Sequence, residues 1–137
     1  MKKLLLLFFL LSELSLFAQM PYILTLKERG ETRDQWLSER AETVLPMIMR
    51  REGIDMWLLI SREYNEDPVL KTMLPSSWLN ARRTTMLIVY DTGDKLETLA
   101  CARYDVGDVF KKAWDKEKEP DQWKRLRQII EERDPKK

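Results

Sequence analysis

The chain has 137 residues, of which 44% are apolar and 34% charged, a balance typical of one ordinary globular domain, with no sign of disorder or a repeat array. The 24 basic and 23 acidic residues nearly cancel, which argues against nucleic acid or an anionic membrane as the main partner, because both select for a basic excess. The sequence has no histidine and one cysteine, so it offers neither histidine-dependent chemistry nor an internal disulfide.

The first 18 residues have the pattern of a secretory signal peptide. Lys2 and Lys3 precede an apolar run over residues 4–11, and Ala18 is a small residue at the expected cleavage point. The apolar run is shorter than the ~20 residues that a membrane-spanning helix needs. We therefore expect an exported protein, periplasmic or secreted, with a mature domain over residues 19–137. A retained N-terminal anchor is the alternative.

A helix that leads at once into a strand is the first strong pattern of the mature chain. Residues 20–30 show no clear period, and we expect them to lie on the surface. Thr32 and Gln35 have the spacing of a capping box, which predicts a helix start. Pro46 either bends this helix or begins a second one, and Gly53 is placed to end it. The apolar stripe of the helix is Leu37, Ala41, Val44, Leu45 and Ile48.

Two apolar runs predict the centre of a sheet. Residues 56–60 are consecutively apolar, which is typical of a strand buried on both faces. Residues 84–90 predict a second central strand. The turn signal at 91–94 predicts that this strand forms a hairpin with a more polar strand over residues 95–103.

The connection over residues 62–83 is too long for a simple turn and carries our candidate contact residues. Asp67 and Pro68 open a short helix within it. Its carboxylates directly follow a strand, where α/β proteins often place site residues. Such a loop offers few ligands for a hard cation, so a contact surface or a solvated loop is favoured over a metal site. The candidate interdomain or substrate-access contacts are Glu63, Asn65, Glu66, Asp67, Arg82 and Arg83.

Two arginines precede the second predicted strand. Arg82 and Arg83 could clamp a carboxylate, because a guanidinium group binds that shape with two parallel hydrogen bonds. The simpler interpretation is that one of them pairs with Glu63 or Asp67 across the loop.

The last third of the chain predicts one ambiguous segment and one helix. Residues 106–114 fit helical spacing, but Gly107 favours a structured loop almost equally. Pro120 enters a final helix that ends at Asp134. Such a helix, after only three obvious strands, is typical of a unit that awaits its next strand, so we expect the domain to be incomplete at its C-terminal end. The apolar face of the helix is Trp123, Leu126, Ile129 and Ile130.

Cysteine and tryptophan are interpreted here as core residues. Without a histidine to activate it, Cys101 is expected to be a small buried hydrophobe rather than a nucleophile. The tryptophans at 36, 57, 114 and 123 occupy patterned positions and are expected in the core. Trp78 lies in the long connection, where exposure at an interface is the alternative to burial.

The order of elements from residue 40 to residue 90 resembles the opening of the creatinase/prolidase N-terminal domain. An arginine-rich helix ends in Arg-Glu-Gly-Ile-Asp at 51–55 and leads directly into the apolar strand at 56–60. The likeness continues to the final helix and covers most of the mature chain. Many relatives follow the first strand with a Tyr-Leu-Thr-Gly-like segment, whereas this chain has Tyr-Asn-Glu-Asp-Pro at 64–68, which indicates a divergent, exported branch.

The resemblance implies an α/β fold with a mixed sheet, flanking helices and no catalytic residues. In that family, two divalent metals such as manganese are held by carboxylates and a histidine of a separate C-terminal domain, so no catalytic, cofactor or metal position is transferred to this chain. The domain would shape substrate access for an Xaa-Pro aminopeptidase or prolidase, with the catalytic domain and a second copy as partners. The alternatives are a stand-alone exported binding or interaction module and, on the acidic residues alone, a small unrelated enzyme.

Overall fold

A mixed four-stranded sheet with helices on both faces forms the fold. The computed structural model describes residues 22–137, so the predicted signal peptide lies outside the described residues. The helices are α1 (Leu26–Glu39), α2 (Leu45–Glu52), α3 (Pro68–Thr72) and α4 (Gln122–Arg133), and the strands are β1 (Met56–Arg62), β2 (Thr84–Asp91), β3 (Leu96–Ala100) and β4 (Lys111–Lys112). The strand order is β1-β2-β3-β4, with the first two pairings antiparallel and the third parallel. The prediction of an α/β fold with a mixed sheet and flanking helices is confirmed.

Helix α1 begins earlier than the sequence pattern predicted. Thr25 is the N-cap: its hydroxyl accepts from the Glu28 amide at 3.3 Å, while the Glu28 carboxylate accepts from the Thr25 amide at 2.7 Å. The predicted start at Thr32 is wrong, because Thr32 lies inside the helix and donates its hydroxyl to the Glu28 carbonyl. The first turns lie on the surface and bury no apolar stripe, so periodicity did not reveal them.

Pro46 lies in the first turn of a second helix, as one of the two interpretations proposed. A π-helical turn over Arg40–Val44 joins α1 to α2, and Pro46 follows where a missing N–H is tolerated. Gly53 ends α2 with φ near 60°, a left-handed conformation that glycine adopts without a Cβ penalty.

The centre of the sheet is β2 rather than β1. The β2 residues from Thr85 to Val89 are all buried, and β2 pairs on one side with β1 and on the other with β3. The prediction that β1 is fully buried is wrong, since β1 lies at the edge and Ile60 is 38% exposed. A run of apolar residues indicates cover above and below a strand, but it does not indicate how many strands lie beside it.

The outer edge of β1 is contacted at its two ends by the described part of the chain. At the far end, the Arg62 carbonyl accepts from the Asn65 amide at 3.0 Å. The Lys137 carbonyl accepts from the amides of Asp55 and Met56 at 3.0 and 3.1 Å. The Asp55 carboxylate in turn accepts from the Lys136 amide at 2.8 Å. Since backbone groups alternate along a strand, Leu58 and Ile60 direct their N–H and C=O groups toward this edge, where no strand within residues 22–137 pairs with them.

One apolar core lies on each face of the sheet, because successive β2 side chains point to opposite faces. Leu87 and Val89 pack with the residues of α1, α2 and α3, whereas Met86 and Ile88 pack with those of α4. The helical residues of the first core include Leu37, Leu45, Met49 and Leu70, and those of the second are Leu126 and Ile129.

The predictions for the tryptophans are partly wrong. Trp36 and Trp123 are each 57% exposed, because they lie on the solvent side of α1 and α4. Trp114 is buried as expected. Trp78, for which we considered exposure at an interface, belongs to the first core.

Residues 101–121 form a loop with the short strand β4 rather than a helix. Val106 and Phe110 exchange backbone hydrogen bonds of 2.9 and 3.3 Å, which closes a tight turn. Gly107 has φ near 62° inside that turn, and a Cβ there would lie 2.9 Å from the Cβ of Pro75. A left-handed glycine packed this closely explains why the structured loop is preferred to the helix.

Replacement of a fully buried β2 residue is expected to destabilise the whole domain. Ile88→Ala should lower the free energy of unfolding by about 2–5 kcal/mol, because it leaves a cavity between β2 and α4. Urea unfolding monitored by circular dichroism measures the change. The matched control Ile23→Ala, at an exposed position, should stay within about 0.5 kcal/mol of the wild type, and equal effects of the two variants would contradict this fold.

An ion pair between β3 and α4 is expected to contribute acid sensitivity. Arg133 donates from Nε and Nη2 to the Glu97 carboxylate at 2.6 and 2.8 Å, and this lowers the pKa of Glu97. The pair therefore stabilises the fold above the ordinary glutamate pKa of about 4.3, and this contribution is lost as the pH falls through the lower folded value.

Glu97→Gln should therefore lose less stability than the wild type between pH 6 and pH 3, in urea midpoints measured across that range. Glu131→Gln, which changes an exposed carboxylate of α4, should keep the wild-type pH profile. Parallel profiles for Glu97→Gln and the wild type would show that the pair has no such role.

Candidate functional site

The connection after β1 begins with a tight turn. The Asn65 amide donates to the Arg62 carbonyl at 3.0 Å, and Tyr64 has φ near 65° within the turn. Because β1 and β2 are antiparallel with Arg62 opposite Thr84, this turn lies beside the residues that enter β2. The predicted contact residues on either side of the connection are therefore neighbours in space.

Glu66 fastens the two sides of the connection together. Its side chain is 6% exposed, and Oε1 accepts from the amides of Tyr64 and Ala81, each at 3.1 Å. The Lys71 ammonium lies 4.0 Å from Oε2. Asp67 has a different local role: its Oδ1 caps α3 by accepting from the amides of Val69 and Leu70.

Glu63 extends the pairing of β1 and β2 by one position. Its amide donates to the Arg83 carbonyl at 2.7 Å, and its Oε2 accepts from the Arg83 amide at 3.2 Å. The expected ion pair between Arg82 or Arg83 and Glu63 or Asp67 is not formed, because both carboxylates bind backbone amides instead. Within the part of the chain described, no group of three potential ligands is arranged to hold a metal ion.

Arg82 contacts two aromatic rings. Its guanidinium carbon lies 4.3 Å from the centre of the Trp78 ring and 5.5 Å from that of Tyr104. The two rings meet edge to face, with their centres 5.9 Å apart. Both distances lie within the roughly 6 Å range of cation–π interactions.

An open cavity of about 430 Å³, which we call the arginine pocket, lies beside this stack. Arg82 and Arg83 reach it from the start of β2, and Arg103 reaches it from beyond the end of β3, with its guanidinium carbon 6.0 Å from the Trp114 ring. No carboxylate lines it, and none of these arginines forms an ion pair with a described residue. Its lining residues are Arg82, Arg83, Thr84, Ala102, Arg103, Tyr104, Trp114 and Gln122.

The walls of the arginine pocket are held by hydrogen bonds. The Gln122 side-chain amide donates to the carbonyls of Thr84 and Cys101 at 3.1 and 2.6 Å and so joins β2, β3 and α4. The Trp114 indole donates to the Glu119 carbonyl at 2.7 Å. Arg83 has φ near 53°, an unusual conformation for a residue other than glycine, and Glu63 holds its backbone there.

Arg103 and Tyr104 were not predicted as site residues. They follow β3, some twenty positions after Arg82 and Arg83, and only strand pairing brings them together. The sequence did carry a signal: in the predicted hairpin, the residues before the first strand and after the second must meet at one end.

Cys101 is buried, which confirms the prediction of a small core residue. Burial raises the pKa of its thiol to about 11. The thiol stays protonated at neutral pH, so it lacks the character of a nucleophile.

A second open cavity, of about 440 Å³, lies between α2 and the β2–β3 hairpin and carries charges of both signs. Arg50 donates to the Asp91 carboxylate at 2.8 Å, and this hydrogen bond lowers the pKa of Asp91. Asp94, Lys95 and Asp108 also line the cavity. This cavity therefore carries carboxylates as well as cations, unlike the arginine pocket.

Comparisons with protein-family models, curated proteins and solved structures find no match to this chain. No helix among residues 22–137 is both long and apolar enough to cross a membrane. What the site can bind is therefore inferred from the geometry of its own residues.

Loss of the Glu66 carboxylate is expected to loosen the connection. Glu66→Ala should lower the free energy of unfolding by about 1–3 kcal/mol, because the buried Ala81 amide loses its acceptor. Urea unfolding measures the loss, and faster hydrogen exchange at the Tyr64 and Ala81 amides locates it. Lys71→Ala should change stability by less than about 0.5 kcal/mol, and an equal effect of both variants would point to the ion pair instead.

Proposed function

We propose that this chain is a non-catalytic N-terminal domain of the creatinase/prolidase type within an exported Xaa-Pro aminopeptidase-like or prolidase-like metallopeptidase. In that role it shapes substrate access and contacts a C-terminal catalytic domain and a second subunit. The observation that carries the proposal is the helix–Gly-Ile-Asp–strand unit at residues 45–62. It resembles that family in sequence, and in the fold it leads directly into a mixed sheet.

Each residue of the Gly-Ile-Asp motif has a structural task. Gly53 ends α2 in a left-handed conformation, and the Ile54 amide donates to the Met49 carbonyl at 2.8 Å. The Asp55 carboxylate accepts from the amides of Lys136 and Lys137 at 2.8 and 3.3 Å. The motif thereby joins the start of β1 to the segment after α4, which gives a physical reason for this residue pattern.

The connection has the properties of a contact surface. Tyr64 is 84% exposed and Leu79 is 89% exposed, so a large apolar residue projects from each side of the connection. Aromatic and apolar side chains held on fixed loops supply much of the contact area in protein interfaces. These residues, with the exposed Asn65, supply the surface that we assign to a neighbouring domain or subunit.

The open edge of β1 also supports a place within a larger protein. An apolar edge strand has unpaired backbone N–H and C=O groups, and another strand can form hydrogen bonds with them. The family's metals, such as manganese, would be bound by the catalytic domain, and we assign no metal ligand to this chain.

The second candidate function is a stand-alone exported binding module. One observation favours it: this chain carries an open pocket that is lined by three arginines and no carboxylate. The coding sequence beyond Lys137 separates the two candidates. An open frame with a histidine and spaced carboxylates supports the peptidase proposal, whereas an immediate stop codon supports the stand-alone module.

The purified chain is expected to release no N-terminal residue from Xaa-Pro peptides in the presence of Mn²⁺ or Co²⁺. The family's catalysis depends on a histidine and a metal pair, and the sequence has no histidine. A chromatographic assay of product release measures this, with an active Xaa-Pro aminopeptidase as positive control. Metal-dependent hydrolysis that copurifies with the chain and disappears in Glu66→Gln would refute the proposal and favour a small enzyme.

A further inference from the structure

The arginine pocket combines positive charge with a lack of internal counter-charge. Arg82, Arg83 and Arg103 line it, and no carboxylate does. The Glu63 carboxylate binds the Arg83 backbone amide rather than a guanidinium group. The charges of these arginines therefore remain available to a ligand.

The guanidinium groups of the pocket suit an oxyanion. A guanidinium group carries all its N–H donors in its own plane. The guanidinium carbon of Arg82 lies 4.3 Å from the centre of the Trp78 ring, and Arg82, Arg83 and Arg103 all line the cavity. Guanidinium edges bind carboxylate and phosphate groups with paired hydrogen bonds.

The walls of the pocket suit an apolar body attached to that anion. The Tyr104 and Trp114 rings line the cavity beside the arginines. Its volume of about 430 Å³ lies within the range of roughly 300–1,000 Å³ that is usual for small-molecule sites. Hydrogen bonds of Gln122 and the Trp114 indole hold the walls before any ligand arrives, which lowers the ordering cost of binding.

We propose that the arginine pocket is a binding site for an organic oxyanion, a carboxylate or phosphate group carried on an apolar or aromatic body. The guanidinium groups of Arg82, Arg83 and Arg103 hold the anion, and the rings of Tyr104 and Trp114 contact the body. This site does not depend on the peptidase relationship, since every residue that forms it belongs to this chain.

Three small ligands test the site and distinguish the source of the anion. N-acetylphenylalanine carries a carboxylate, phenyl phosphate carries a phosphate, and N-acetylphenylalanine amide has the same body as the first without charge. We expect titration by NMR to show millimolar binding of at least one anion at low salt, at least about tenfold tighter than the amide. The tighter anion identifies the source, and added NaCl should weaken its binding.

Charge-removing variants locate the binding. Arg103→Gln and Arg83→Gln should each weaken binding of the preferred anion by about tenfold, because each removes a charged donor. Arg127→Gln is the matched control, since Arg127 is an exposed arginine of α4 that lies outside the pocket lining. The affinity of Arg127→Gln for the preferred anion should equal that of the wild type. Circular dichroism establishes that each variant is folded, and the two pocket variants serve as independent replicates.

Several results would overturn the proposal. Binding of neither anion, or equal binding of the anions and the amide, would show that the pocket does not recognise an oxyanion. Equal weakening in Arg103→Gln, Arg83→Gln and Arg127→Gln would reduce the effect to general charge attraction. None of these results would bear on peptidase activity or on the coding sequence after Lys137, so the two proposals fail separately.

Discussion

The fold depends on burying both faces of β2. Four consecutive side chains from Met86 to Val89 have no exposed surface, and they alternate between the two cores. A strand of this kind needs a layer on each side, because its apolar side chains leave water in both directions. Helices α1 to α3 supply one layer and α4 supplies the other, so the position of every helix follows from this strand.

The position of β2 also determines where the arginines of the candidate site lie. Arg82 and Arg83 come immediately before the buried run, and Arg103 comes shortly after its partner β3. Antiparallel pairing brings these arginines to one end of the sheet, where they meet water and aromatic rings instead of the core. The acidic turn after β1 lies at that same end, but backbone amides occupy the carboxylates of Glu63 and Glu66. These carboxylates and the arginines of the pocket are thus neighbours, and no ion pair joins them among the described residues.

The parts of the fold that could be predicted are those with a local physical cause. The β2–β3 hairpin, the Gly53 stop and the α3 start at Asp67 each follow from a turn or cap in the sequence. The edge position of β1 could not be predicted. An apolar run indicates that other elements cover the two faces of a strand, but it does not indicate how many strands pair with it. Trp36 was misplaced for a related reason: helical spacing alone does not tell which face of α1 turns inward.

Only the part of the candidate site that precedes β2 could be predicted from the sequence. Arg82 and Arg83 stand out as a pair, whereas Arg103 and Tyr104 gain meaning only from strand register. The observed register pairs Leu87 with Ala100, and the chain that follows β3 brings Tyr104 to within 5.5 Å of the Arg82 guanidinium carbon. A register error of one residue would turn these side chains to the other face, so the arginine pocket follows from the hairpin turn as much as from the arginines.

The outer edge of β1 has no feature of this kind that limits which strand can pair with it. Met56–Arg62 contains no lysine, proline or bulge to prevent pairing. Leu58 and Ile60 therefore keep backbone groups that no strand within residues 22–137 pairs.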